Sequence, residues 1–462
     1  MVDNVVRLIS VEICDIKNVV HGKITLTDRD KGNILGLYGQ NGSGKTVVAD
    51  SMVLLKYLLS GWRIPAAFYY YIRSESETAR VKYCFKIMDD GNVFYTEYEI
   101  ELLKNGEDCF CISHENLSVK QLDADKPTRL SPVFDYSKGR KELFHPLKYY
   151  HYFKKDMNHL VSLGIARQFT EDYNDEKRRP EPASFLFSKR SQNVFARAEG
   201  EAAKIYKLSH ILQVFAAGSL TVVENSQYGL SALNLRALPV NIEWPKMKQG
   251  PGDFMLNLTD VNEADKNIFP YISAAIEQIN IVLKALVPEI ELKIYNKFDK
   301  LMENGKDGIR FEVITIRNGA RIPLMYESAG IKKIISICSS LVACYNRESY
   351  CLVVDELDSG VYEYLLGELL DAMQDKAKGQ LIFTSHNLRP LEVLENDSLM
   401  YTTVNPKERY IKTSYIKNTQ NKRLSYLRSI KLGGQKERLY HETNIYEIEL
   451  AMRRAGKVEP DD

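Results

Sequence analysis

The stretch GQNGSGKT, Gly39 to Thr46, decides how the rest of the chain is read. It matches the pattern G-x-x-x-x-G-K-[ST], in which glycines let backbone N–H groups close around phosphate oxygens. An apolar run, NILGLYG, stands before it and reads as a strand. The segment TVVADSMVLLKYLL stands after it and reads as a helix ending near Gly61, with its positive end facing the loop. Gly39, Asn41, Gly42, Ser43 and Gly44 form the loop, and the backbone from Gly42 to Lys45 is expected to cradle phosphate. The Lys45 ammonium is expected at the terminal phosphates and the Thr46 hydroxyl on a magnesium ion. The implied ligand is a nucleoside triphosphate.

The partner motifs lie far along the chain. SYCLVVDELDSG puts Asp355 and Glu356 after a second buried strand, and LIFTSHN puts His386 after a third. Hydrolysis needs charge compensation by a metal and deprotonation of attacking water, so Asp355 suits the metal and Glu356 the water. His386 is placed to touch the terminal phosphate or to orient that water. Upstream, Ser328, Ala329 and Gly330 open a helix, IPLMYESAGIKKIISICSSLVAC. They read either as a simple N-cap or as a small-residue entrance that presents donors to phosphate across a subunit interface.

Composition limits the alternatives. At 462 residues the chain has room for two or three domains, or for one composite domain with a large insertion. A formal charge of +1 gives no global positive field, so any nucleic-acid surface must be local. The seven cysteines are scattered, CFC at Cys109–Cys111 lacks zinc-finger spacing, and no apolar run reaches bilayer length. A soluble, reducing, cytoplasmic setting with no membrane association is expected.

Between the two motif groups, RLISVEICDIKNVVHGKITLTDRD suggests two strands joined near Val20–Gly22, and DDGN at Asp89–Asn92 reads as a hairpin turn. The aromatic run Phe68–Tyr71 reads as joint packing rather than a base-stacking platform, and Lys23 and Lys82 are basic residues able to approach phosphate. Helices are expected over 141–175 and from Ser191 to Phe215, with strands through SLTVVE and SALNLRAL and a further helix over 262–287. His145, His151 and His159 do not share a metal-binding face, and Lys177–Pro180 reads as a solvated linker. Near the carboxyl end, Lys417, Lys422, Arg423, Arg428, Lys431, Lys436 and Arg438 make a basic stretch that suits phosphates or an acidic protein, with Tyr426 available for stacking.

Taken together the motifs resemble the ABC-type ATPase heads of the RecF/SMC/OLD-like group, which serves recombination, chromosome maintenance and anti-phage defence. GQNGSGKT resembles the Walker A motif, ESAG a degenerate signature, CLVVDELD a Walker B motif with catalytic glutamate and D-loop, and TSHN the histidine switch. The resemblance covers residues 1 to about 60 and 310 to about 410. It implies ATP and Mg2+ as cofactors, ATPase activity, and paired heads in which Lys45 acts in cis, Ser328 and Gly330 in trans, and Asp358 at the shared interface. Ala329 replaces the usual glycine and Ile331 a polar residue, which implies slower signature-dependent turnover.

The expected fold is α/β: an ABC-type head with a mixed sheet, an antiparallel subdomain and a mainly helical central insertion. Residues 1–140 and 291–410 are expected to form the two halves of the head, 141–290 the insertion and 411–462 a basic extension. None of the helical stretches sustains the heptads of a long chromosome-tethering coiled coil, so the compact anti-phage ATPases resemble the chain more closely. The implied function is a sensor or scaffold, a homodimer of heads or a larger homo-oligomer. It would answer a DNA or phage-protein trigger through a separately encoded nuclease or toxin. The alternatives are a DNA repair or recombination ATPase and a nucleotide-dependent assembly protein with negligible hydrolysis.

Overall fold

In the computed structural model, the described residues are 4–29, 32–122, 128–171, 181–224, 237–242, 252–257, 261–303, 305–412, 422–432, 437–440 and 445–455. The amino-terminal part holds β1 (Val5–Ile16), β2 (Val19–Thr25), β3 (Asn33–Tyr38) and α1 (Lys45–Leu59), followed by β4 (Thr78–Asp89), β5 (Asn92–Lys104), β6 (Phe110–Gln121) and β7 (Ser131–Ser137). Helices α2 (Leu147–Phe153), α3 (Met157–Glu171), α4 (Lys189–Phe195) and α5 (Ala203–Gly218) precede β8 (Leu220–Val223), β9 (Ala237–Ile242), β10 (Gly252–Asn257) and β11 (Asn262–Asp265). Next come α6 (Phe269–Leu286), β12 (Ile290–Leu301), β13 (Asp307–Arg317), β14 (Ala320–Pro323) and α7 (Ala329–Asn346). The rest comprises β15 (Cys351–Val354), α8 (Glu363–Lys376), β16 (Gln380–Thr384), α9 (Pro390–Val393), β17 (Leu399–Thr402), β18 (Tyr410–Ile411), α10 (Lys422–Leu432) and α11 (Ile445–Ala455).

Two six-stranded sheets dominate. One is antiparallel, ordered β2-β1-β4-β5-β6-β7; the other is ordered β18-β17-β3-β16-β15-β8, parallel except at β18. β3, β15 and β16 are buried along their whole lengths, as expected of strands covered on both faces. α1 contributes Val47, Val48, Met52, Leu55, Leu58 and Leu59 to a core shared with Leu8, Val11 and Phe85 of the antiparallel sheet and Leu35 and Val353 of the parallel one. Each such side chain contributes roughly 1.5–3 kcal/mol on full burial, so the helix that presents Lys45 is held firmly. A smaller antiparallel sheet of β11, β12, β13 and β14 packs on α6 and supports α7 through Ile334, Ile335 and Cys338. This is the mixed α/β architecture of an ABC-type ATPase head.

Several local expectations shift. The first hairpin turns at Lys17–Asn18, not at Val20–Gly22, because Ile16 and Val19 are both buried and pair directly. Lys17 takes φ 48° to close the turn. The expected helix from Ser191 to Phe215 is two helices, α4 and α5, interrupted by a 3-10 turn at Gly200–Ala202, where Gly200 has φ 60°. The strand of SLTVVE, β8, pairs with β15 at the edge of the parallel sheet. The turn between Asp89 and Asn92 forms where expected. Phe68 is buried in the core and Tyr71 lies under the Lys17 ammonium at 4.1 Å, so these two fill the joint beside the cleft, whereas Tyr70 is exposed. Residues 177–180 and most of SALNLRAL lie outside the described residues.

Candidate nucleotide site

Because β3, β15 and β16 run parallel, their carboxyl ends share one edge of the sheet, and the motifs that follow them meet there. Gly42 and Gly44 adopt φ 72° and 91°, which L side chains rarely reach, and the loop enters α1 through Gly44. At Gly39 the constraint is space: a Cβ would lie 1.7 Å from Thr402 Oγ1. The Lys45 ammonium is buried and donates to the carbonyls of Gly39 and Gln40, 2.9 Å each. Burial lowers its pKa, and Asp355, Glu356 and Asp358 oppose that shift.

On the facing wall, Asp355 is buried at the end of β15 and accepts from Thr384 Oγ1 at 2.6 Å. The same hydroxyl accepts from the Glu356 N–H at 2.7 Å. Asp358 Oδ2 accepts from the N–H groups of His386 and Asn387 at 3.0 and 2.9 Å, tying the turn after β15 to the turn after β16. The result is a cleft of about 380 Å³. Lys17, Asn18 and residues 41–47 line one side; Asp355, Glu356, Thr384 and His386 line the other.

The arrangement fits a nucleoside triphosphate and a divalent cation. Exposed Thr46 and buried Asp355 both line the cleft, a hydroxyl and a carboxylate suited to magnesium. Elsewhere, Glu12, Cys14 and His21 bring three donor atoms within 4.8 Å of one another on the β1–β2 hairpin. That trio is already engaged: His21 contacts Glu12 at 3.2 Å, Arg80 donates to Cys14 Sγ at 3.7 Å, and Lys23 and Lys82 act electrostatically on Glu12.

Ser328 and Gly330 do not line this cleft. Ser328 Oγ accepts from the Ile331 N–H at 3.3 Å as the N-cap of α7, and Ser328 and Ala329 are exposed. Buried Glu327 anchors the helix entrance to β13 through Arg317 at 3.0 Å and Thr315 at 2.7 Å. Gly330 lies directly against Gly360; a Cβ there would stand 1.9 Å from the Gly360 carbonyl oxygen. Small residues at this entrance therefore allow α7 to approach the Asp358–Gly360 turn backbone to backbone.

The sequence reading missed Lys17, Asn18 and Thr384. Lys17 pairs with buried Asp50 at 2.6 Å, and Asn18 donates to the Gly42 carbonyl. The signal for Lys17 and Asn18 was a two-residue turn carrying two polar side chains ahead of the phosphate loop. Lys82 instead pairs with Glu99 at 3.1 Å, and neither it nor Lys23 lines the cleft.

The carboxyl-terminal basic stretch also changes character. Lys422 donates inward to the Leu394 carbonyl, Arg423 pairs with Glu392 at 3.2 Å, and Tyr426 is buried with its ring stacked on Tyr401 at 5.2 Å. Tyr426 thus packs in the core rather than offering a stacking surface. Arg428 and Arg438 are exposed; Lys417 and Lys436 and the side chain of Lys431 lie outside the described residues.

No protein-family profile and no curated protein sequence matches the chain. Among solved structures, an SMC head domain from Thermotoga maritima is similar at TM-score 0.38 and 14% identity, covering 88% of this chain and 99% of that one. An SMC head bound to the C-winged helix domain of ScpA gives 0.42 and 11%, with 88% and 98% covered. The recombination mediator RecF with ATP gives 0.36 and 12%, with 83% and 94% covered. Overlap at this level assigns neither activity nor partner. No helix among the described residues is long and apolar enough to cross a membrane.

Proposed function

We infer that the chain is an ATP-binding and ATP-hydrolysing head. The observation that carries this reading is a single cleft uniting residues 41–47 with Asp355, Glu356, Thr384 and His386, drawn from opposite ends of the sequence. Backbone donors of the loop and Lys45 bind the phosphates, and Thr46 and Asp355 hold magnesium. The bound cation supplies charge compensation to the phosphates. Glu356 accepts the proton of attacking water, and His386 orients it or contacts the terminal phosphate. Ser328, exposed at the α7 entrance, and neighbouring Gly330 act on the phosphates of a second head, with Asp358 at the junction. Phosphate release measured with ATP and magnesium tests this reading. Turnover in wild type, weakened binding in Lys45→Ala and retained binding without turnover in Glu356→Gln are expected; unchanged hydrolysis in Glu356→Gln would reject the assignment. Mixing Ser328→Arg and Lys45→Ala chains restores partial activity if Ser328 acts in trans.

An ATPase head of this architecture suits DNA repair, recombination or chromosome maintenance, and we take action on DNA as the working output. Lys422 is engaged by the Leu394 carbonyl and Arg423 by Glu392 in a surface ion pair, so a DNA surface is not assigned to them. The finer alternative is a defence sensor in the cytoplasm that passes its nucleotide state to a separately encoded nuclease or toxin. Salt-dependent DNA binding by the isolated chain supports the first. A stable effector complex with weak intrinsic DNA affinity supports the second.

A further inference from the structure

Glu356 has φ 49°, a region that non-glycine residues seldom occupy. Its peptide is gripped on both sides. The N–H donates to Thr384 Oγ1 at 2.7 Å, and the carbonyl oxygen accepts from the Ser359 N–H at 3.0 Å and from the Lys333 ammonium. Lys333 stands in the second turn of α7 and is almost wholly buried, 3% exposed, so its reach to Glu356 is enclosed rather than a surface contact. A second contact joins the same two segments, because Gly330 in the first turn of α7 lies against Gly360. A buried ammonium needs compensation, and Asp358, Glu356 and Asp355 surround it electrostatically. The amino end of α7 is therefore attached to the turn carrying Glu356 at two places, one polar and one by backbone contact.

We propose that Lys333 is a positioning residue for Glu356, fixing the left-handed peptide so that its carboxyl group is held where attacking water is deprotonated, and coupling that placement to the position of α7. This rests on the hydrolytic role of Glu356 given above. Lys333 is not among the residues that line the cleft and reaches it through the Glu356 peptide. Its loss is expected to change the chemical step and leave nucleotide binding alone. A displacement of α7, such as contact of its exposed Ser328 end with another head, would be transmitted through Lys333 to the catalytic carboxylate within the same chain.

The test compares wild type, Lys333→Met, Lys333→Arg, Glu356→Gln and the Lys333→Met/Glu356→Gln double variant, measuring kcat, ATP affinity by nucleotide titration, and thermal melting. Lys333→Met should lower kcat about ten- to a hundredfold, keep ATP Kd within about twofold, and be partly rescued in Lys333→Arg. In the double variant the losses should not multiply, since both act through one carboxylate. Equal losses in kcat and ATP affinity, no rescue by arginine, or multiplicative losses would overturn the proposal. Should Lys333→Met melt early, Lys333→Arg and Lys333→Gln at a temperature below their transitions supply the same comparison. Wild-type turnover in Glu356→Gln defeats the hydrolytic reading itself, whereas an inactive Glu356→Gln beside a fully active Lys333→Met defeats only the positioning role.

Discussion

Tyr410 donates its Oη to the carbonyl oxygen of Gly44 at 2.7 Å, joining positions 366 residues apart. The phosphate loop is thus clasped from behind by the β17–β18 hairpin. Thr402 Oγ1 donates to Ser43 Oγ at 2.5 Å, and Arg409 donates to the carbonyls of Thr403 at 2.7 Å and Asn18 at 2.6 Å. Loop residues with unusual φ angles keep their shape only when their surroundings over-determine them.

Tyr410→Phe leaves the Gly44 carbonyl without this donor. It is expected to cost about 1–3 kcal/mol of stability and to weaken ATP binding. Arg409→Ala should cost more, since it strands two carbonyls together. Thermal melting and nucleotide titration check both, and unchanged ATP affinity in Tyr410→Phe would show the clasp to be irrelevant to the loop.

Lys45→Ala should separate stability from binding. Burial disfavours the ammonium in the nucleotide-free cleft, as its lowered pKa indicates, so the variant should melt no earlier than wild type without ATP. With ATP at about a hundred times the wild-type Kd, wild type gains about 2.7 kcal/mol and the variant should lose most of that gain. Melting curves with and without ATP and magnesium provide the readout.

Gly330→Ala places a Cβ 1.9 Å from the Gly360 carbonyl oxygen, and backbone cannot step aside as a flexible side chain would. The expected cost is about 1–3 kcal/mol from overpacking, with slower hydrolysis and nearly unaltered ATP affinity. Unchanged turnover would show that α7 and the Asp358–Gly360 turn do not move as one.

Glu115 offers a pH test away from the cleft. It is fully buried and accepts from Tyr98 Oη at 2.8 Å, the Phe185 N–H at 2.8 Å, the Leu186 N–H at 3.2 Å and Ser184 Oγ, pinning residues 184–187 to the antiparallel sheet. Burial raises its pKa, and these donors offset only part of the rise. The folded chain then holds the proton more tightly than the unfolded one. This group's contribution is fullest below the ordinary carboxyl value of 4.5 and is lost as pH rises through the raised folded value. Glu115→Gln should flatten that part of the melting-temperature profile, whereas Glu115→Ala should cost about 3 kcal/mol by stranding several donors.

By itself the sequence determined the elements whose information is local. The Gly39–Thr46 loop lies between an apolar strand and a helix, and Asp355 and His386 follow apolar strands, because strand burial and glycine conformations are written in short windows. Tertiary structure decided what depends on partners hundreds of positions away. Ser328 reads equally as a cap or a signature until α7 is docked, and the basic run near Lys422 reads as exposed until Leu394, Glu392 and Tyr401 meet it. The grip of Lys333 on Glu356 and of Tyr410 on Gly44 required side chains and carbonyls brought together by packing. Hydrogen bonds of this kind depend on distance and direction in space, which residue order alone does not encode.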